Sequence, residues 1–258
     1  MNEKMSLLWA TKTQDDEWWS SFVTAPLAIL VNYTVVDFRW LTPNLITLLS
    51  FVTAVVSAVF IVIGGTTGFV VAAILIQSSH VFDCMDGQMA RYRKSTSASG
   101  SYFDRATDQL QIALWFGAVG YAAYDQSAEV LPVFLALIGM ALYSVRGYVK
   151  YVAMHVEMSR DYNYLARLAS EVAAPEKVEE VGCQFNIRSV AVWFIREQRK
   201  VIYFDEGVLI FMLSLALVLD TLIPMLWVFA VGQLFHGIFR TWQHGRNIEL
   251  NSQVHIKK

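Results

Sequence analysis

Charge is scarce in this chain. Only 16% of its 258 residues are charged, where an average soluble domain has about 25%. That shortage, together with 55% hydrophobic residues and a mean hydropathy of +0.42, points to a membrane protein before any window is inspected. Cysteine is nearly absent, and Cys84 and Cys183 are too few for a disulfide framework. A large excess of one sign of charge is missing too, and a formal net charge of -2 gives no support to nucleic-acid binding. The opening MNEKMSLLWATKTQDDEWW lacks an apolar core ahead of a small-residue cleavage site, so no cleavable leader is expected in it. Repeats and low-complexity tracts are lacking as well.

What the chain does have is long apolar stretches. A membrane span needs roughly 20 predominantly apolar residues, and six stretches qualify as spans: about 43–64, 67–91, 101–124, 129–152, 206–222 and 224–241. The second turns polar from Gln77 onward, and the third is polar first and apolar later. Lys and Arg are missing from 40–90, 106–145 and 201–239, so all 20 fall in alternate connections or in the span ends that border them. The positive-inside rule then places both termini and the loop region 156–204 in the cytoplasm. Residues 18–36 are apolar, tryptophan-fronted and broken by Pro26, and read as an interfacial helix lying on the membrane; a seventh span there would put Lys4 and Lys12 outside. The expected fold is an all-α integral membrane protein with six transmembrane helices. Residues 1–40 form its N-terminal segment with the interfacial helix, and 41–258 form the catalytic domain.

Four carboxylates stand in this apolar background, in DCMDGQMARYRKSTSASGSYFDRATD, at Asp83, Asp86, Asp104 and Asp108. Spacings of three and four put each pair on one helix face. The second and third spans are consecutive, and the simplest packing points both pairs into one space. Two carboxylates about 5 Å apart repel by roughly 3 kcal/mol at an effective dielectric near 20. Several such pairs need protons or divalent cations, and an all-oxygen donor set suits Mg²⁺, Mn²⁺ or Ca²⁺. Two divalent ions would neutralise the four charges, an arrangement used for displacement at phosphorus. Gly87 and Ala90 present almost no side chain beside Asp86, Arg91 follows as a phosphate partner, and Gly100 lies one turn before Asp104.

The pattern D-x2-D-G-x2-A-R-x8-G-x3-D-x3-D, met at Asp83, Asp86, Gly87, Ala90, Arg91, Gly100, Asp104 and Asp108, resembles the signature of the CDP-alcohol phosphotransferase family. The resemblance extends to the six-span layout, the interfacial helix and Pro43-Asn44 at the start of the first span. It implies attack by an acceptor hydroxyl on the β-phosphorus of a CDP-linked alcohol or lipid, with release of CMP, in phospholipid biosynthesis. By the same resemblance Asp83, Asp86 and Asp104 would ligate metal (two ions, Mg²⁺ or Mn²⁺), and Asp108 would be the general base at a metal edge. Gly87, Ala90, Arg91, Gly100 and Asn44 would contact the CDP group. The implied partners are the donor, the acceptor alcohol and the bilayer, with an active site facing the cytoplasm; homodimers are common in that family.

Blander readings stand beside these. Lone aspartates near span ends usually make helix–helix hydrogen bonds, and small residues such as Gly87 and Ala90 usually serve helix packing. Arg93 and Lys94 read as topology determinants, Cys84 as a packing residue, and His80 as a hydrogen-bonding partner of another helix rather than a ligand for a hard ion. Arg146 and Lys150, four apart on the fourth span, bind a phosphate of the acceptor or donor, or else pair with carboxylates and snorkel. His236 and Arg240 repeat that spacing more weakly. Two other functions compete. An intramembrane prenyltransferase would show more spans and aspartate motifs far apart, and a cation or proton transporter would carry acids at several depths.

Overall fold

The computed structural model describes residues 2–12, 17–166, 169, 194–195, 198–202 and 204–256. Every element among them is helical. A short α1 (Glu3–Trp9) precedes a helical stretch whose main part is α2 (Ala25–Val35), followed by α3 (Pro43–Ile63), α4 (Gly65–Tyr92), α5 (Ala98–Ser127) and α6 (Leu131–Arg160). A four-residue α7 (Arg199–Ile202), α8 (Glu206–Val218) and α9 (Leu222–Ile256) complete the order. The expected loop region 156–204 and Cys183 lie largely outside the described residues.

Local chemistry sets the boundaries. Thr42 caps α3 by accepting from the Leu45 N–H, with Pro43 at the first turn, where its missing N–H costs nothing. Gly64 and Gly65 both have positive φ (75° and 70°), which lets the chain reverse between α3 and α4 with a single intervening residue. Ser97 caps α5 and Asp205 caps α8, each accepting an N–H three residues on. Pro26 does not break the 18–36 segment as expected. A π-helical turn, Ser20–Thr24, stands just before it, and this wider turn accommodates a ring that would otherwise meet the carbonyl of Phe22.

Four helices are long and apolar enough to cross a membrane: Pro43–Ile63, Gly65–Tyr92, Leu131–Arg160 and the Leu222–Leu250 part of α9. The span expected at 101–124 lies within α5, whose first turns are polar. The one expected at 206–222 is shorter than read: α8 has 13 residues and is about 20 Å long, against a hydrocarbon core of about 30 Å. The spans expected at 129–152 and 224–241 run on to Arg160 and Ile256, because polar, helix-favouring residues follow without a proline.

α3 packs along both α4 and α5, α6 lies between α5 and α9, and α8 lies on α4. The core these contacts enclose holds Phe69, Trp115, Phe116, Leu209, Leu226 and Phe229. Phe116 and Phe229 stack with centroids 3.6 Å apart. Trp115 Nε1 donates to Ser57 Oγ at 2.7 Å, so its one polar atom is not orphaned in the apolar interior. Across α3, α4 and α5, Ser50 Oγ donates to the Ser79 carbonyl and Ser79 Oγ to Gln111 Oε1, both at 2.9 Å. Such bonds fix the register of helices that lipid cannot drive together by hydrophobicity. α2 buries Ala25, Ala28, Ile29 and Asn32 and leaves Leu27, Leu30 and Val31 exposed. Asn32 Nδ2 donates to the Met85 carbonyl at 3.0 Å and so ties α2 to α4 beside the aspartates.

Candidate active site

α4 and α5 are brought together by their shared neighbour α3, and carboxylates cross the space between them. Oxygens of Asp83, Asp104 and Asp108 lie within 4.8 Å of one another. Asp86 is not in that group of three but lies within electrostatic reach of Asp83 and Asp104. Three residues along a helix rotate a side chain by about 60° from its starting face, and here that turns Asp86 toward α3. Its Oδ2 accepts from Thr47 Oγ1, and the residue is only 5% exposed. Asp83 Oδ1 is buried with no hydrogen-bond partner. An orphaned carboxylate oxygen inside a cluster of carboxylates fits a divalent cation, and the all-oxygen donor set fits Mg²⁺ or Mn²⁺.

The flanking motif residues are also in place. The Gly87 surface is covered by Arg91: a Cβ at Gly87 would meet Arg91 Nη1 at 3.2 Å. The glycine thus makes room for the guanidinium, whose Nε donates to the Thr11 carbonyl at 2.7 Å. Gly100 and Asn44 adjoin, since a Cβ at Gly100 would lie 3.5 Å from Asn44 Oδ1; the heads of α3 and α5 therefore meet beside the aspartates. Ala90 is half-buried on the same helix. Arg93 does more than set topology. It donates to the carbonyls of Val36, Phe38 and Leu41 at 2.5–3.1 Å, clamping the link between α2 and α3. His80 Nε2 pairs with Ser20 Oγ at 2.9 Å, the helix–helix role expected of it. Cys84 packs against Ser20 and Thr24.

Several neighbours were not legible as site residues. Glu206, the first residue of α8, lies close enough to act electrostatically on Asp83, Asp104 and Asp108. Its Oε2 accepts from Tyr143 Oη at 3.2 Å. Glu17 is held against the same helix end. A Cβ on Gly207 would come within 3.1 Å of Glu17 Cβ and 3.0 Å of Trp19 N, so glycine eases this close approach. Burial pushes the Glu17 carboxyl well above the ordinary glutamate range, with Glu206, Asp205 and Asp83 adding to the rise and the Gly207 N–H opposing it. The sequence clue was an acidic pair, Asp205-Glu206, heading an apolar run, which reads as a simple helix cap. Trp18 N–H does donate to that cap, at 2.8 Å to Asp205 Oδ2.

Arg146 and Lys150 line one cavity of about 390 Å³ together with Gln109, Tyr143, Gly147, Arg240 and His244. Tyr143 on its wall is bonded to Glu206, which lies within electrostatic reach of the aspartates, so the cavity neighbours the carboxylate centre. Arg146 Nη1 donates to the Phe204 carbonyl at 3.0 Å. Arg240 joins the cavity, and His236 stacks on Phe204 with centroids 6.3 Å apart. Tyr143, Arg146, Gly147 and Lys150 share a three-four-seven helical face. At the far end of the bundle Gln126 Nε2 donates to Asp220 Oδ1 at 2.8 Å, so this acid ties two turns together instead of lining a pathway.

A helical membrane protein with a carboxylate centre at the junction of two helices, beside a basic cavity, is the class this geometry defines. The sequence pattern of CDP-alcohol phosphatidyltransferases matches residues 40–174, and the chain belongs to that family. Among curated proteins it is similar to a bifunctional IPC transferase and DIPP synthase of Thermococcus kodakarensis, 29% identical over 103 residues. That match covers 40% of this chain and 23% of the relative, so the chain spans about a quarter of the relative's length. Among solved structures its fold is similar to that of the Mycobacterium tuberculosis phosphatidylinositol phosphate synthase crystallised with CDP-DAG bound. The TM-score is 0.54 and the identity 18%, over 86% of this chain and 93% of the other.

Proposed function

We propose that this protein transfers a substituted phosphate from a CDP-linked lipid to the hydroxyl of a phosphorylated acceptor, releasing CMP. The observation that carries the reading is the convergence of Asp83, Asp104 and Asp108, with oxygens within 4.8 Å, inside the family's motif. Asp83, Asp86, Asp104 and Asp108 would hold two divalent ions, Mg²⁺ or Mn²⁺, whose charge offsets that of the diphosphate and of the attacking and leaving oxygens. Thr47 engages one Asp86 oxygen. Asp108 takes the proton of the acceptor hydroxyl as its oxygen attacks the β-phosphorus; the bond from that phosphorus to the CMP oxygen breaks, and a phosphodiester forms. Gly87, Ala90, Arg91, Gly100 and Asn44 would cradle the CDP group.

Two cavities support this reading of the substrate ends. An apolar groove of about 670 Å³ runs between α2, α4 and α8, lined by Leu27, Val31, Ile74, Phe82 and Phe211 among others, and is suited to the chains of a lipid donor. Arg146, Lys150 and Arg240 would receive a phosphate on the acceptor. In the membrane we read six crossings, with α5 and α8 joining the four longer helices, both termini on the cytoplasmic side and the site facing it; the distribution of Lys and Arg supports this. A homodimer is the assembly expected.

The test is a CMP-release screen of purified protein with Mg²⁺ or Mn²⁺ across CDP-lipids, CDP-linked small alcohols and candidate acceptors, with mass spectrometry of the product. Asp108→Asn should lower CMP release by about 10²–10⁴-fold while helicity is kept. Full activity in that variant removes its role as base. Turnover of prenyl diphosphates with no CMP from any donor overturns the whole reading.

A further inference from the structure

The basic cavity and the carboxylate centre carry opposite charge, and the Tyr143–Glu206 pair stands between them. Tyr143 lines the cavity and donates its O–H to Glu206 Oε2 at 3.2 Å. Glu206 in turn heads α8, within electrostatic reach of the three clustered aspartates. The hydrogen bond uses the tyrosine's only donor. What the pair offers to a ligand in the cavity is therefore an acceptor, the Tyr143 oxygen lone pairs, with the Glu206 carboxylate behind it holding the O–H turned away. A phosphate is repelled from that place and drawn to Arg146, Lys150 and Arg240 on the other side of the cavity. A neutral hydroxyl, which has a hydrogen to give, is suited to it.

Resting on the phosphotransferase reading of the site, we propose that Tyr143 and Glu206 hold a non-reacting hydroxyl of the acceptor, so that its phosphate is fixed in the basic cavity and its reacting hydroxyl is turned to the aspartates. The acceptor class this fits is a phosphorylated polyol. An acceptor with one hydroxyl and no phosphate would engage neither half of the cavity. An amino-alcohol acceptor would bring a cation into a wall of three cations.

The experiment measures binding to the full chain in detergent micelles with Mg²⁺, by isothermal titration, using inorganic phosphate, glycerol 3-phosphate and an inositol monophosphate as probes. A hydrogen bond to a charged group contributes about 1.5–3 kcal/mol, so a polyol phosphate should bind about 10–100-fold tighter than inorganic phosphate. Glu206→Gln and Tyr143→Phe should abolish that ratio while inorganic phosphate binds as before; Lys150→Ala should weaken all three probes together. In turnover, Glu206→Gln should raise the KM for the acceptor and leave that for the donor unchanged. A merely structural tie between α6 and α8 would lower thermal stability and leave the binding ratio intact, which overturns the proposal, as would equal wild-type affinity for phosphate and polyol phosphates. Failure of the wild type to release CMP from any donor would sink the parent reading instead, and the binding ratio would still judge the pair.

Discussion

Removing one member of the aspartate cluster should make the metal-free protein more stable while destroying its response to metal. With oxygens of Asp83, Asp104 and Asp108 within 4.8 Å, each ionised pair repels by about 3.5 kcal/mol at an effective dielectric of 20. Asp104 takes part in two such pairs, or about 7 kcal/mol. That full figure is not available as strain, because protonating an ordinary aspartate at pH 7 costs only about 4 kcal/mol and so caps the penalty. Asp104→Asn keeps the shape of the side chain and removes its charge, so without metal it should unfold up to about 4 kcal/mol less readily than the wild type. Divalent ions should reverse the order. A ligand at 100 times its dissociation constant stabilises by about 2.7 kcal/mol, and only the wild type should show this rise. The assay is thermal unfolding in detergent followed by circular dichroism, with EDTA against MgCl₂ or MnCl₂. The reasoning is refuted if EDTA and Mg²⁺ give the same wild-type transition, or if the variant is the less stable of the two in EDTA.

Glu17 gives a pH prediction of definite sign. Its folded-state carboxyl is raised by burial and by Glu206, Asp205 and Asp83, so its contribution to stability is fully present below the ordinary glutamate range and is lost as pH rises through the raised value. Glu17→Gln should therefore stabilise the protein at pH 8 more than at pH 5; equal shifts at both pH values in thermal unfolding would contradict the assignment. Arg93→Ala should cost about 2–4 kcal/mol through the loss of its hydrogen bonds to the carbonyls of Val36, Phe38 and Leu41. Arg93→Lys should recover little of that, because one ammonium group cannot span three carbonyls; rescue of the unfolding midpoint by lysine would count against the clamp.

The helices were legible because apolar runs of this length have few alternatives, and because Thr42, Gly64, Gly65 and Ser97 punctuate them with caps and reversals visible residue by residue. The aspartates were legible because carboxylates are conspicuous in an apolar chain and three-four spacing is a helix property. The bond from Thr47 to Asp86 was not. A spacing of three sets Asp86 about 60° from the Asp83 face but does not say what it meets there, and its partner Thr47 is 39 positions away, on a different helix. Glu17 and Glu206 escaped for a related reason. Each has an ordinary local explanation, one in a polar N-terminal segment and the other at a helix start, and only their approach across Gly207 makes them part of the site. Pro26 misled in the opposite direction: the sequence marks a break, and one π turn absorbs it.

Charge is so sparing in this protein that its placement carries most of the functional argument. Three aspartates and two glutamates gather where α4, α5 and α8 meet; Arg146, Lys150 and Arg240 gather one side chain further out, between α6 and α9. Were these groups intended only to stabilise the bundle, the cheapest arrangement would pair them, since a buried charge without a counter-charge is costly. A close ion pair does join Lys4 and Asp37, outside the site. Acids and bases are kept apart by Tyr143 and by the carbonyl of Phe204, which occupies Arg146. On the proposed reading, segregation of that kind suits reactants that bring charges of their own, cations to the carboxylates and phosphate to the basic wall. On that proposed reading it also gives a direction to the chemistry, because a phosphorylated acceptor entering the basic cavity would meet repulsion from the acids beyond, and only its uncharged hydroxyl end would advance to Asp108.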